Sequence, residues 1–187
     1  MAQSIADNPK LFAGDIWKVD FKRIPNFDIL CAGFPCQPFS TAGKRQGFRD
    51  KKGRGTIFFY LLDYVKLRQP KIFIFENVKG FCTLDNGKHM RVAVKALQEI
   101  KDTNGILADS TDGERTVAGD GNSSENAKPS LYNVFWQLLD TVEHGIPQYR
   151  SRWYCVGIRK DCYRGSFAFP GRLPCPKKEH FLESNVE

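Results

Sequence analysis

The stretch Phe27-Asp28-Ile29-Leu30-Cys31-Ala32-Gly33-Phe34-Pro35-Cys36-Gln37-Pro38-Phe39-Ser40 decides how this chain folds and where its chemistry sits. Residues 27–32 are a short apolar run of the kind that makes a buried strand. Gly33 to Ser40 then falls where that strand ends, and open α/β sheets bind their ligands just beyond strand carboxyl ends. Pro35 fixes its own φ and keeps Phe34 out of the helical region, so Cys36 is presented by a stiff turn. A rigidly held thiol at a strand end is a candidate nucleophile. By itself it is weak evidence, because most cysteines in globular chains are small buried hydrophobes.

Working outward, the next segment is basic. Gly43 to Gly55 carries Lys44, Arg45, Arg49, Lys51, Lys52 and Arg54 against one acid, Asp50, which accounts for most of the chain's net charge of +7. A solvated charge run is the usual meaning of such a cluster. Beside a candidate nucleophile, contact with a phosphate backbone is the better reading.

Arg54 to Arg68 reads as a helix: Ile57, Leu61 and Val65 recur every four residues, with Phe58 and Leu62 beside them, and Gln69-Pro70 stops it. Lys71-Ile72-Phe73-Ile74-Phe75 is a second apolar run, suited to a central parallel strand buried on both faces. Glu76 and Asn77 stand at its carboxyl end, the topological place that Cys36 also occupies. Lys88 to Lys101 reads as a second helix with Met90, Val94 and Leu97 on its core side.

Upstream, Leu11 to Ile16 resembles a short strand and turn with Asp15 at its end, and Trp17 to Ile24 is expected to be a short helix. Downstream, residues 102–130 carry six acids against two bases and few large apolar groups. Such a composition cannot bury enough surface to offset its ordering entropy, so a disordered insertion is expected there. Leu131 to Leu139 and Trp153 to Ile158 read as strands. The gap between them is too short for a helical crossover, which predicts an antiparallel pair at the sheet edge. The expected organisation is one catalytic domain over residues 1–170 and a tail over 171–187.

Several classes are excluded or disfavoured. No apolar run approaches the roughly 20 residues of a membrane helix. The first residues have neither a basic flank nor an apolar core, so no signal peptide is expected. Six cysteines lie far apart without C-x-x-C pairs, which argues against a disulfide scaffold or metal module. An intracellular setting is expected, the nucleus in a eukaryote or the cytoplasm in a bacterium, with no membrane and no metal.

Four stretches in order now coincide: GFPCQPFS at 33–40, followed by GKRQGFRD and RGTIFF; ENVKGF at 76–81; and GIPQYRSR at 145–152. In these the chain resembles the cytosine-C5 DNA methyltransferase family over roughly Gly14 to Arg159. The resemblance implies an α/β, Rossmann-like, mixed and mostly parallel sheet that uses S-adenosylmethionine. It implies Cys36 as the thiolate that adds to cytosine C6, Glu76 as proton donor at N3, and Arg152 as the group on O2. Arg150 braces the site, and Asn77 holds the Pro-Cys turn. Asp15, Pro35 and Ile57 would meet the cofactor. Phe34, Gln37, Ser40, Lys44, Arg45, Lys51, Lys52 and Arg54 would meet the extruded base and the DNA strand.

The family's F-x-G-x-G turn does not precede Asp15, and its target-recognition region and last two motifs do not follow Arg159. The chain therefore reads as the catalytic middle of such an enzyme: a split subunit, a fragment or a decayed copy, with a complementing polypeptide as an expected partner. A tRNA-methylating branch of the family and a non-catalytic nucleic-acid-binding subunit are the alternatives.

Overall fold

The two apolar runs ahead of Cys36 and Glu76 lie side by side, and the other elements are arranged on that pair. The computed structural model describes residues 14–20, 24, 26–39, 47–49, 54–106 and 129–176. Strand β1 (Ile29–Gly33) runs parallel to β2 (Ile72–Val78), with Gly33 paired to Glu76. The crossover is α1 (Ile57–Arg68), entered through a 3-10 turn at Arg54–Thr56. After β2 come α2 (Lys79–Thr83) and α3 (Lys88–Gln98), then β3 (Tyr132–Asp140) and β4 (Ser151–Arg159). β4 is antiparallel to both β2 and β3 in the order β1-β2-β4-β3. The sheet is mixed, and β4 alone opposes the common direction of β1, β2 and β3. The expected antiparallel pair is present, with β3 outermost and β4 inside.

Helix α1 ends where the sequence dictates. Gln69 takes a left-handed conformation (φ 48°, ψ 53°), donates its N–H to the Val65 carbonyl at 2.8 Å, and is followed by Pro70. The buried Gln69 side chain is held there by hydrogen bonds to the Lys101 carbonyl and the Thr103 hydroxyl.

Burial follows the two periods. Phe73, Phe75 and Asn77 alternate along β2 toward the helices, and Trp153 and Cys155 of β4 share that face. They meet Phe58, Leu61, Leu62 and Val65 of α1, Phe81 of α2 and Ala93, Val94 and Leu97 of α3 in one core. Each large apolar side chain buried here contributes roughly 1.5–3 kcal/mol.

The opposite face differs from expectation. β2 is buried on one face only: Ile72 and Ile74 are half-buried, and Ile29 of β1 is 55% exposed. The reason is topological, since α1, α2 and α3 all feed the same core. Part of that open face, at Phe135, is met by the rings of Tyr163 and Phe167.

One local expectation is corrected. Where a helix is expected from Trp17 onward, the described residues 14–20 hold the 3-10 turn Ile16–Lys18, after which Val19 is extended. Asp15 caps that turn, its Oδ1 accepting the Trp17 N–H at 3.1 Å. Leu11–Ala13, residues 107–128 of the expected insertion and residues 177–187 of the expected tail lie outside the described residues. Within the described part of that tail, the Leu173 N–H donates to the Glu143 carbonyl at 2.8 Å.

Candidate active site

The common direction of β1, β2 and β3 puts their carboxyl ends on one edge, and the antiparallel β4 starts there. Gly33, Glu76, Asp140 and Arg152 are thereby gathered without any long loop. Beyond Gly33 the chain turns through Gln37–Phe39, closed by the Phe39 N–H on the Cys36 carbonyl at 2.9 Å. Phe34 roots this turn: its ring is 4% exposed and packs on Phe39, Phe58 and Phe81. Its carbonyl accepts the Asn77 Nδ2–H at 3.2 Å, and Asn77 Oδ1 accepts the Val78 N–H. Asn77 is buried, so both ends of its amide are used where an unpaired group would be costly. Cys36 is left partly exposed as a free thiol.

Glu76 and Arg152 come from adjacent strands and the same sheet face. Arg152 is paired in register with Val78, two residues beyond Glu76, and its Nε meets Glu76 Oε1 at 2.9 Å. The side chains are 21% and 34% exposed, so the pair is partly desolvated and accessible from the edge. Gly33 makes room for it: a Cβ there would stand 3.1 Å from Glu76 Oε2. Sequence reasoning did not single out this glycine.

It also missed Asp140, which organises the β3–β4 turn. Asp140 Oδ1 accepts the Val142 and Arg150 N–H groups, its Oδ2 accepts the Ser151 hydroxyl, and its carbonyl lies 2.8 Å from His144 Nδ1. The Ser151 hydroxyl and then those amides hold its carboxyl below the usual carboxylate range. The turn so fixed delivers Arg150 and Arg152. A D-x-V spacing before H-G-I-P is the local signal that could have flagged a capping acid.

Arg150 and Arg152 partition two cavities. One, of about 520 Å³, is also lined by Val78, Lys79, Gly80 and Thr83. The other, of about 320 Å³, is walled by Leu139, His144, Ile146, Tyr154 and Leu173. The remaining thiols separate by environment. Burial pushes Cys82 up to about 11 and Cys155 further up, and Cys162 is also raised by burial. These are protonated, poor nucleophiles near neutral pH.

Other expected site residues are more dispersed. Gln37 is exposed on the turn, and Pro35 is half-buried. Ile57 is packed in the core at 8% exposure, so of the three expected cofactor residues Asp15 and Pro35 present the more surface. Arg54 opens the 3-10 turn before α1. Ser40, Lys44, Arg45, Lys51 and Lys52 lie outside the described residues. Among the described residues, no cluster of three metal-ligating side chains and no helix long and apolar enough to cross a membrane is present.

Comparison with known proteins gives a consistent match. The family model described as C-5 cytosine-specific DNA methylase matches residues 4–101 and 122–183. The chain is 38% identical over 161 residues to the Type II methyltransferase M.BsuFI of Bacillus subtilis, covering 86% of this chain and 32% of that protein. It is 39% identical over 173 residues to the Type II methyltransferase M.NgoBV of Neisseria gonorrhoeae, covering 92% and 34%. In fold it is similar to the Entamoeba histolytica methyltransferase EhMeth, with a TM-score of 0.54, 16% identity, and coverage of 92% of this chain and 45% of that one. The chain thus spans about a third of the length of the curated relatives it matches.

Proposed function

The chain belongs to the C-5 cytosine-specific DNA methylase family, and from that premise we propose that it carries the catalytic segment of a DNA (cytosine-5-)-methyltransferase. The observation that supports this most is the Glu76–Arg152 pair, 2.9 Å apart at the strand edge where the Cys36 turn also begins.

In this reading the Cys36 thiolate forms a bond to C6 of an extruded cytosine. The electron pair of the C5–C6 double bond moves toward N3, where Glu76 gives a proton. Arg152 moves from Glu76 to the base O2 as the base enters, so that Glu76 takes up a proton from water before giving it to N3. The Phe34 carbonyl, already fixed by Asn77, accepts from the exocyclic amino group. Once C5 is methylated, water takes the C5 proton, the C5–C6 double bond re-forms as the C6–S bond breaks and releases the Cys36 thiolate, and the N3 proton returns to Glu76. Neutral cytosine is a poor nucleophile at C5, and covalent addition divides that barrier into smaller ones.

S-adenosylmethionine, when bound, supplies an electrophilic methyl. The residues present fit its adenosine half: Asp15 offers an exposed carboxylate to an amino group, and Pro35 offers an apolar wall. The relatives are about three times as long as the matched segment, and we assign target recognition and the rest of the cofactor site to sequence of that kind. The basic run from Lys44 to Arg54 supports a nucleic-acid backbone as the polyanion bound, and the family match favours DNA.

The test is methyl transfer. The chain, supplemented with a polypeptide carrying the remainder of a relative's length, is expected to place tritium from labelled S-adenosylmethionine on cytosine C5 of DNA. Label on tRNA in preference to DNA would replace the substrate, and label on neither would overturn the reading.

A further inference from the structure

His89 is a buried titratable side chain that the proposed chemistry does not use. It is 8% exposed, near the start of α3, and its ring stands edge-on to Phe39 at 5.5 Å and to Phe48 at 4.7 Å between centroids. Its Nε2 lies 3.2 Å from Asp85 Oδ2. That contact depends on a reversal in which Asp85, Asn86 and Gly87 all take left-handed φ (50°, 54° and 76°). Asp85 is the charged side chain that meets His89 among the described residues, and the other two walls are aromatic.

The fourth wall is Gly47. A Cβ on Gly47 would stand 2.3 Å from both Cε1 and Nε2 of His89, so the imidazole edge rests directly on that backbone. Gly47 also has φ +57° and donates its N–H to the Pro38 carbonyl at 2.8 Å. Phe39, the other surface under the ring, donates its N–H to the Cys36 carbonyl. Both groups that His89 supports are thus hydrogen-bonded to the turn that presents the thiol.

We propose that His89 is a positioning residue for Cys36, a wedge oriented by Asp85 that sets the Pro-Cys turn through Phe39 and Gly47. This deepens the reading of Cys36 as nucleophile and rests on it for its catalytic consequence. Emptying the space under Phe39 leaves a cavity into which that ring relaxes, and a thiol displaced by about 1 Å loses on the order of 100-fold in rate. Adding a methyl to Gly47 acts from the other side, by driving the ring out.

The experiment uses the 187-residue protein as His89→Ala, Gly47→Ala and the double variant, followed by amide hydrogen exchange and by adduct formation with duplex DNA containing 5-fluorocytosine in the presence of S-adenosylmethionine and the complementing polypeptide. His89→Ala is expected to raise exchange at Phe39 and Gly47 about tenfold, leaving Phe75 and Trp153 in the sheet within about twofold. Adduct formation should fall by roughly 10–100-fold with duplex affinity within about twofold. Gly47→Ala should do less damage in the His89→Ala background than alone, because the clash is gone and only the strain of a side chain at φ +57° remains; neighbours that touch are non-additive. If His89→Ala does not fold, His89→Asn, which removes the ring but not the polar contact to Asp85, carries the same expectation at Phe39 and Gly47. Equal acceleration at all four amides, or additive effects of the two substitutions, would overturn the proposal. If the parent itself gives no adduct, the nucleophile reading fails, while the local exchange pattern still decides whether His89 sets the turn.

Discussion

Glu76 is asked to do two things that its surroundings set against each other. In the free protein its carboxylate is paired to the Arg152 guanidinium at 2.9 Å, and in the proposed reaction it gives a proton to N3 of the base. The conflict is resolved only if Arg152 is drawn onto the base when the base enters, so the two residues act as one unit. Glu76→Gln keeps the shape and a hydrogen bond but has no acidic proton. Methyl transfer is expected to fall by roughly 10²–10⁴-fold, the usual share of a general acid, with DNA affinity nearly unchanged; initial rates and fluorescence anisotropy measure the two. At this scale the sequence was informative where a motif names the residue, as for Glu76, Asn77 and Arg152. It was silent on Gly33, which meets Glu76 43 positions away, and on His89, which meets Phe48, Gly47 and Phe39 across 41 to 50 positions, pairs that only the fold brings together. Asp140 was missed although its contacts lie within 2 to 11 positions, in reach of a local capping signal.

Among the elements, the β3–β4 turn decides whether Arg150 and Arg152 arrive at the site. Asp140 closes it with bonds to Val142, Arg150 and Ser151, and these bonds lower its carboxyl. A carboxyl lowered in the folded state adds stability above its unfolded value, and that stability is lost as pH falls through the lower folded value. Amide exchange at Val142 and Arg150 is therefore expected to accelerate, relative to Phe75, as pH drops below about 4. Asp140→Ala should show that acceleration already at neutral pH, and Asp140→Asn, which keeps an acceptor, should show less. Unchanged ratios in both variants would leave the turn without its proposed fastener. The elements themselves were legible: both apolar runs, the helix stopped at Gln69-Pro70, and the antiparallel pair all follow from periodicity and loop length. The 3-10 turn at Ile16–Lys18 was not, because a capping Asp and a following extended Val19 override the weak helical pattern beyond. Nor was the one-sided burial of β2, because an apolar run reads alike whether one face or two are covered.

For the whole molecule, the central claim is that one edge of a four-stranded sheet holds a covalent catalyst. Net charge, the basic segment after Cys36 and the family match agree with a nucleic-acid substrate, but they would agree equally with binding alone. Covalent chemistry separates the two. Duplex DNA with 5-fluorocytosine at target positions blocks the release step, because fluorine cannot leave C5 as a proton does, so any addition by Cys36 is trapped. The measurement is mass spectrometry of the protein after incubation with that duplex, S-adenosylmethionine and a complementing polypeptide, followed by peptide mapping. The account predicts a stoichiometric adduct on the peptide containing Cys36, absent in Cys36→Ala. An adduct that maps to Cys31, or that persists in Cys36→Ala, would contradict it.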